Sequence, residues 1–581
     1  MRRLVGTFCT LMAMMFLVAC DSKQKGASQK AVYNTQVSLN GTWQFLASNE
    51  LTEASVLKEN FTEWDTLKVP GNWDTTERYS TYKGKGYYQK SFQAPEGWDN
   101  KQIRLKFDAV YQTAKVWLNG QYLGKNVGGY LPFEFNITQY IKFNEPNSLV
   151  VMADNTIRRG AWWAWGGISR KVTLFADESV RLQQQHIAAV PNFENNKANF
   201  TIKYTLENTQ SHAQKVALHT SLASEELEPE TILLAANSVS TKVIHFQKEL
   251  STYTLWDLDH PKLYSLKTDV LIGDKLLDEA TDNFGIRKFE VRGTQFFLNN
   301  KAVRLHGLNR VHDHPDYGNT EPDALVIQDM KDIMALGGRF SRLMHAPLSE
   351  NILEFCDKNG FLLVEEIPVW GSVDPNSVPN NPLTHQWMKK LVERDFNHPS
   401  VVAWSVGNEL RTDQPKWGKQ HLTTNQYGYA NQMLDYVKSL DSTRLRTYVS
   451  NTAYQGGIIG NEPYEKVDFL SVNSYGHALK IVEKVHNRFP NKPIFLSEIG
   501  RGQIGPAPNA ELKQELVDWM KQLKEYPYVT GLSLWSYNDY RSDYKGTPES
   551  GFREWGIVSE RREKKKAYKQ LKEVYKYWLE N

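Results

Sequence analysis

The order of apolar and polar positions divides the chain into three regions with different periods. From about residue 37 to 180 the apolar runs are short and broken by turns, with no helical spacing. Leu39-Asn40-Gly41-Thr42-Trp43 opens a strand after an Asn-Gly turn. Ala114-Lys115-Val116-Trp117-Leu118 leads into Asn119-Gly120 and then Gln121-Tyr122-Leu123-Gly124. Two such segments joined by Asn-Gly predict a hairpin, because both central positions of the tight turn need positive φ. Pro70-Gly71-Asn72 and Gly128-Gly129 mark further turns. Short strands with frequent turns predict a jelly-roll-like β-sandwich over 37–180.

From about 181 to 286 the alternation is cleaner. Residues 199–206, Asn-Phe-Thr-Ile-Lys-Tyr-Thr-Leu, follow period two, the mark of a strand with one buried face. Some hundred residues of this pattern predict an immunoglobulin-like β-sandwich, here without the Cys pair of antibody domains. From 287 to 581 strand and helix alternate. Helical spacing marks 324–336, 387–396, 426–440 and 511–524. Between these segments lie short apolar runs at 361–364, 401–404, 448–450, 467–472, 494–496 and 531–535. Uninterrupted apolar runs between helices read as parallel strands buried on both faces. The repeat predicts a (β/α)8 TIM barrel.

The first 36 residues have a different character. Arg2-Arg3 precede an apolar run over 4–18, too short to remain as a membrane-spanning helix, so 1–20 read as a leader segment, cleaved just ahead of its last residue. It ends in Leu17-Val18-Ala19-Cys20, which resembles a bacterial lipoprotein box. That resemblance implies lipidation of Cys20, a polar linker over 21–36, and a protein anchored in the cell envelope, facing the periplasm or on the outer membrane. Of the three cysteines, Cys9 would leave with the leader and Cys20 would carry lipid. Cys356 is then alone, in a predicted helix, and is expected to be buried and inert.

A net charge of +3 points away from nucleic acid as a partner. Aromatic residues make up 12% of the chain, with 17 Trp, and such rings can stack on sugar faces as well as fill cores. No Cys/His cluster has zinc spacing, and neither a metal nor a cofactor is expected.

Two glutamates carry the strongest chemical signal. Glu409 ends Val401-Val402-Ala403-Trp404-Ser405-Val406-Gly407-Asn408, and Glu498 ends Ile494-Phe495-Leu496-Ser497. Barrel enzymes place their chemistry at the C-terminal ends of strands. A pair of carboxylates there is the equipment that cleaves a glycosidic bond with retention.

Further segments fall in a consistent order: Val69-Pro70-Gly71-Asn72-Trp73, Asn119-Gly120 with Gly124, Gly167-Ile168-Ser169-Arg170, Phe284-Gly285-Ile286-Arg287, Gly307-Leu308-Asn309-Arg310, and Arg342 with His345. With Asn408-Glu409 and Ser497-Glu498 they make the chain, from about 37 to 575, resemble glycoside hydrolase family 2, which holds β-galactosidases, β-glucuronidases and β-mannosidases. The resemblance implies roles. Glu409 would be the general acid/base and Glu498 the nucleophile, kept ionised by Arg342. Asn408 would bind the sugar 2-hydroxyl, Tyr475 would position the nucleophile, His345 would contact a hydroxyl, and Trp535 would floor the pocket. His312, Asp313 and His314 are read as groups lining the mouth.

The chain departs from the family pattern twice. Many relatives carry an Asp before the Gly-Ile-x-Arg segment, where Ala161 stands here in Ala161-Trp162-Trp163-Ala164-Trp165. β-Glucuronidases carry Asn-x-Lys-Gly late in the barrel, where this chain has Phe552-Arg553-Glu554-Trp555-Gly556. Arg541, Lys545 and Arg553 lie nearby and could bind a carboxylate or sulfate. The expectation is a lipid-anchored, retaining exo-β-glycosidase of β-galactosidase-like specificity acting on oligosaccharides from a polysaccharide. A homo-oligomer is compatible with it. β-Glucuronidase and then β-mannosidase are the alternatives within the class, and a non-catalytic carbohydrate-binding lipoprotein is the alternative outside it.

Overall fold

The structure is a computed structural model that describes residues 35–58, 64–372, 374–413, 418–455 and 461–580. Cys20, the leader and residues 21–34 lie outside these. The last two residues read as linker belong to a strand, Thr35–Ser38, held by antiparallel pairing to Val172–Asp177. No helix of the described residues is long and apolar enough to cross a membrane.

The N-terminal region is a sandwich of two antiparallel sheets. One orders Thr35–Ser38, Val172–Asp177, Gln102–Phe107 and Phe133–Asn136. The other orders Asp65–Val69, Gly41–Ala47, Lys85–Phe92, Asn147–Asp154, Thr113–Leu118 and Gln121–Val127. Trp43, Phe45, Trp73, Tyr88, Leu105 and Val116 fill the space between them. Burial of each large side chain contributes about 1.5–3 kcal/mol. The hairpin turns at Asn119 and Gly120, with φ of 51° and 81°, as the Asn-Gly pair requires.

The second sandwich sets Val180–Asn192, Lys197–Asn208 and Ser238–Glu249 against Gln214–Leu222, Tyr264–Ile272, Lys275–Phe284 and two shorter strands. Lys197–Asn208 turns Ala198, Phe200, Ile202, Tyr204 and Leu206 inward, in keeping with its period of two. Beyond it, Phe284-Gly285-Ile286-Arg287 locks the sandwich to the barrel. Arg287 is buried and donates to the carbonyls of Pro399 (2.9 Å) and Val401 (2.6 Å).

The barrel runs β1 (Leu305–Leu308), α1 (Asp323–Ala335), β2 (Phe340–Ser341), α2 (Glu350–Asn359), β3 (Leu362–Glu366), α3 (Pro382–Asp395), β4 (Val401–Asn408), α4 (Thr424–Leu440), β5 (Leu445–Ser450), β6 (Leu470–Ser474), α5 (Ala478–Arg488), β7 (Ile494–Ile499), α6 (Gln514–Gln522), β8 (Val529–Leu534) and α7 (Lys566–Glu580). All eight strands are parallel, in the order β1-β8-β7-β6-β5-β4-β3-β2. β1 and β2 meet at the remaining seam. The Arg339 amide donates to the His306 carbonyl at 2.9 Å, and Ser341 Oγ donates to the Leu308 carbonyl at 2.7 Å. Gly307 faces the Phe340 carbonyl, where a Cβ would come within 1.9 Å, so no larger residue fits the seam.

Several boundaries differ from expectation for local reasons. α3 starts at Pro382, ahead of the expected 387, because Asn381 caps it by accepting from the Leu383 amide. The expected helix over 511–524 is shorter and ends in a 3-10 turn at Leu523–Glu525. α5 and α7 have no counterpart among the helices expected from spacing. Between β5 and β6 the described residues hold a 3-10 turn at Pro463–Glu465 in place of an α-helix. Cys356 lies in α2 and is fully buried, and burial pushes its thiol well up. This makes it inert.

Candidate active site

The C-terminal ends of β4, β6 and β7 converge on one pocket of about 200 Å³. That is below the roughly 300–1,000 Å³ of drug-sized sites and suits a single sugar unit. Ala161, His345, Trp370, Asn408, Glu409, Arg411, Tyr475, Glu498, Trp535, Tyr540, Tyr544, Arg553 and Trp555 line it. Of the residues given catalytic or sugar-binding roles from the sequence, six are brought together here: Glu409, Glu498, Asn408, His345, Tyr475 and Trp535. Arg342 lies behind them, fully buried, against Glu498. Cys20 lies outside the described residues.

A local distortion of β4 aims Asn408 and Glu409. Its register against β5 shifts between Ser405 and Asn408, Gly407 takes φ of 155°, and Glu409 takes φ of 52°. A non-glycine residue held in the left-handed region stores backbone strain, and such strain collects at functional sites. The Glu409 amide still donates to the Val449 carbonyl at 2.9 Å. Its carboxylate accepts from Asn473 Nδ2 on Oε1 (3.0 Å) and from Arg411 Nη1 on Oε2 (3.2 Å). Asn473 is itself oriented. It accepts from Ser497 Oγ at 2.8 Å, and its Nδ2 also reaches Asn408 Oδ1 at 3.1 Å.

Glu498, on β7, accepts from Arg342 Nη2 on Oε1 and from the Tyr475 hydroxyl on Oε2. Two such donors favour the carboxylate, but burial works against it and Glu409 adds like charge. Burial prevails and raises the Glu498 carboxyl to about 7. Arg342 also donates through Nη1 to Glu366 Oε1 at 3.1 Å, and Ser405 Oγ donates to Glu366 Oε2. Burial lifts Glu366 to about 7 as well, partly offset by Arg342. Burial, reinforced by Arg342, holds His345 well below the usual histidine range, so it is neutral. Its Nδ1, 3.1 Å from Arg342 Nη1, therefore accepts, and Nε2 carries the hydrogen. Its 3.7 Å approach to Glu498 is thus no ion pair.

Aromatic side chains form the walls. The His345 ring stacks between Trp370 (6.0 Å, 14°) and Trp535 (5.7 Å, 20°). Trp535 Nε1 donates to the Tyr540 hydroxyl at 3.1 Å. Among the described residues, Asn408 Nδ2, His345 Nε2, Trp555 Nε1 and Arg553 Nε have no hydrogen-bond partner. Four unpartnered buried donors around one cavity can serve an oxygen-rich ligand.

The N-terminal sandwich contributes Ala161 to the pocket, and an extensive set of bonds holds its loop in place. The Trp163 amide donates to the Arg541 carbonyl, and Ser542 Oγ to the Ala161 carbonyl, both at 2.7 Å. Trp163 Nε1 donates to Asp74 at 2.9 Å and Trp165 Nε1 to Asp313 at 2.6 Å. Asn72, in the Pro-Gly-Asn-Trp segment, accepts from the Asn319 amide at 3.0 Å. His312, Asp313 and His314 do not line the mouth as expected. His312 packs on Tyr130 and Trp162, Asp313 accepts from Trp165 and the Arg541 amide, and His314 stacks on Tyr317. They point apart: His312 and Asp313 serve the joint between sandwich and barrel, and His314 packs within its own loop. Among the described residues, no three His, Cys, Asp or Glu side chains are placed to hold a metal.

Of the three candidate anion binders, only Arg553 lines the pocket. Arg541 lies over Trp163 at 4.1 Å and donates to the carbonyls of Asp74 and Ser80, while Lys545 is exposed. Glu366, Asn473, Arg411, Trp370 and Tyr544 were not singled out as site residues by sequence. Glu366 carried the same signal as Glu409 and Glu498, a carboxylate ending an apolar strand. Arg411, Trp370 and Tyr544 sit on loops without any.

Comparison with known proteins agrees with this architecture. Residues 37–177 match the pattern described as "Glycosyl hydrolases family 2, sugar binding domain", 180–287 match "Glycosyl hydrolases family 2", and 289–578 match "Glycosyl hydrolases family 2, TIM barrel domain". The chain is 26% identical over 505 residues to the β-galactosidase BoGH2A of Bacteroides ovatus, covering 79% of this chain and 58% of that one. It is 25% identical over 614 residues to the β-glucuronidase of Mus musculus, covering 93% and 90%. Against three curated relatives it spans 51%, 58% and 57% of their lengths. A solved structure of Bacteroides uniformis β-glucuronidase 2 shares the fold at a TM-score of 0.81 and 24% identity, covering 93% of this chain and 69% of that one. With three consecutive matches in the family's domain order, on a fold that supports them, the chain belongs to the glycosyl hydrolases family 2.

Proposed function

We propose that the protein is a retaining exo-β-glycosidase that releases a terminal sugar from polysaccharide-derived oligosaccharides. One observation carries this reading: Glu409 and Glu498 line the same sugar-sized pocket from different strands, with unlike partners. Glu498, fixed by Arg342 and Tyr475, attacks the anomeric carbon. Glu409 gives its proton to the glycosidic oxygen as that bond breaks, and the leaving unit departs as an alcohol. Glu409 then takes a proton from water, whose oxygen displaces Glu498 and releases the sugar. Asn408 Nδ2 and His345 Nε2 are two of the four unpartnered donors and serve the sugar hydroxyls.

The glycone we propose first is galactose-like, in line with relatives named β-galactosidase. Arg553 favours a second reading. This arginine lines the pocket with its Nε unpartnered, and guanidinium suits a sugar carboxylate, as a β-glucuronide would present. Other relatives are named β-glucuronidase. Hydrolysis of matched aryl β-galactoside, glucuronide, mannoside, glucoside and fucoside by wild type and Glu498→Gln tests both. Cleavage of one glycoside, lost in the variant, supports the mechanism and identifies the sugar. Equal behaviour of the two proteins on every glycoside overturns it.

We also propose that Cys20 carries a lipid and holds the protein in the cell envelope, on the strength of the leader sequence. Labelled palmitate should enter the wild type and not Cys20→Ala. Equal labelling would refute the anchor.

A further inference from the structure

Arg411 lies two residues beyond Glu409, lines the pocket, and places a single guanidinium nitrogen on the acid/base. Nη1 donates to the Glu409 carbonyl at 2.9 Å and to Glu409 Oε2 at 3.2 Å. The two carboxyl oxygens of Glu409 are not equivalent. Oε1 accepts from Asn473 Nδ2, and Asn473 cannot turn its amide round without losing the bond from Ser497 Oγ to its Oδ1. Of the two oxygens, Oε2 is therefore the one that moving a single, partly exposed side chain can free for the proton that Glu409 gives to the glycosidic oxygen. Arg411 already points an N–H at that atom. A donor aimed at Oε2 takes up a lone pair that the acid proton would otherwise use.

The acid form thus needs Arg411 to swing off Oε2, and the guanidinium needs somewhere to go. Its Nε and Nη2 have no hydrogen-bond partner among the described residues, and its side chain is 18% exposed, so a free edge is available. The side on which Glu409 protonates the scissile oxygen is the side on which the leaving unit lies. An anionic group on that unit would meet the free edge of Arg411 in the forked geometry that guanidinium offers carboxylates and sulfates.

We infer that Arg411 recognises a carboxylate or sulfate on the leaving unit and, in doing so, releases Glu409 Oε2 to carry the catalytic proton. The substrate class is then a terminal sugar linked to an acidic unit, as in fragments of a uronate- or sulfate-bearing polysaccharide. The proton on Oε2 comes from solvent. The inference rests on the glycosidase reading and adds to it the chemistry of the leaving side. It is separate from the question of whether the glycone itself is acidic, which concerns Arg553.

The test uses two aryl β-glycosides of the glycone identified by the panel. Their leaving phenols have equal acidity, but one carries a meta carboxylate and the other a neutral amide. Wild type should prefer the anionic member in kcat/KM by at least about tenfold, the worth of one charge-assisted hydrogen bond. Arg411→Gln should bring the ratio to about one, and Arg411→Lys should restore part of it. Equal rates on both substrates in wild type, or an unchanged preference in Arg411→Gln, would overturn the inference and leave the glycosidase reading standing. Failure of wild type to cleave either would sink both.

Discussion

Glu366 and Glu498 share one cation: Arg342 donates through Nη1 to Glu366 Oε1 at 3.1 Å and through Nη2 to Glu498 Oε1. All three side chains are at most 3% exposed. One guanidinium between two buried carboxyls cannot offset the loss of water for both, so each is raised to about 7. On the proposed mechanism attack requires ionised Glu498, which is present above the raised value and lost as pH falls through it. The acid limb of kcat/KM should therefore have its midpoint near 7, well above the 4.5 of an ordinary glutamate. A pH profile on an aryl glycoside with a good leaving group reads this limb directly. A midpoint between about 4 and 5 would mean that Arg342 and Tyr475 outweigh burial.

Replacing Glu366 with glutamine removes one of the two claimants on Arg342. The amide oxygen of the replacement can still accept from Nη1, so the arginine keeps its place without the second charge. Arg342 would then serve Glu498 alone, and the acid limb should move to lower pH by about one unit, equivalent to about 1.4 kcal/mol. The measurement is the same profile on the Glu366→Gln variant. An unmoved limb would show that Glu366 is already protonated whenever Glu498 works.

Tyr475 approaches Glu498 from the side opposite Arg342, and its hydroxyl is held in the un-ionised state by burial and by the carboxyl beside it. It is thus a pure donor. Tyr475→Phe keeps the ring against Trp555 (5.3 Å between centroids) and deletes only the hydrogen bond. Hydrogen bonds to charged groups contribute about 1.5–3 kcal/mol, so kcat/KM should fall roughly ten- to a hundredfold. The acid limb should rise in pH with it, because a donor that favours the carboxylate has gone. A fall in rate with no movement of the limb would assign Tyr475 to sugar binding instead.

The three-part architecture was legible because each part repeats its own period. The burial of alternate residues in Lys197–Asn208 and the uninterrupted burial of Val401–Asn408 both follow from their apolar patterns. That Glu409 and Glu498 stand at strand ends facing one pocket was legible because each closes an apolar run. Arg411, Trp370 and Tyr544 were not, since their positions depend on loop paths that no period encodes. The His312-Asp313-His314 run misled for a related reason. Neighbours in sequence on a non-helical loop point in different directions: His312 and Asp313 are consumed by the contact with the N-terminal sandwich, and His314 packs on Tyr317 within its own loop. The same contact explains Ala161. The Trp-rich loop reaches the pocket because Asp74, Asp313 and Ser542 hold its backbone and indoles, which the local sequence alone does not reveal.

A charge network behind β1 carries the last prediction. Arg310 donates to Glu321 at 2.6 Å and to Asp329 at 2.8 Å, and Arg562 donates to Asp329 at 2.9 and 3.1 Å. All four groups are nearly dry, so the two arginines depend on the two carboxylates. Asp329→Asn leaves Arg562 without its carboxylate and Arg310 with Glu321 alone. Breaking a buried pair in this way costs about 3–5 kcal/mol. The exposed pair Glu354–Lys358, with side chains 61% and 59% exposed, is the control, and Glu354→Gln should cost no more than about 0.5 kcal/mol. Denaturant unfolding of the three proteins, followed by tryptophan fluorescence, makes the comparison. Because Arg562 also donates to the Asp313 carbonyl at 3.0 Å, loosening this network should free the joint between sandwich and barrel. Asp329→Asn should therefore lose glycoside hydrolysis at denaturant concentrations where Glu354→Gln retains it. Equal midpoints for the two variants would show that the arginines find other partners or water, and that the network is dispensable.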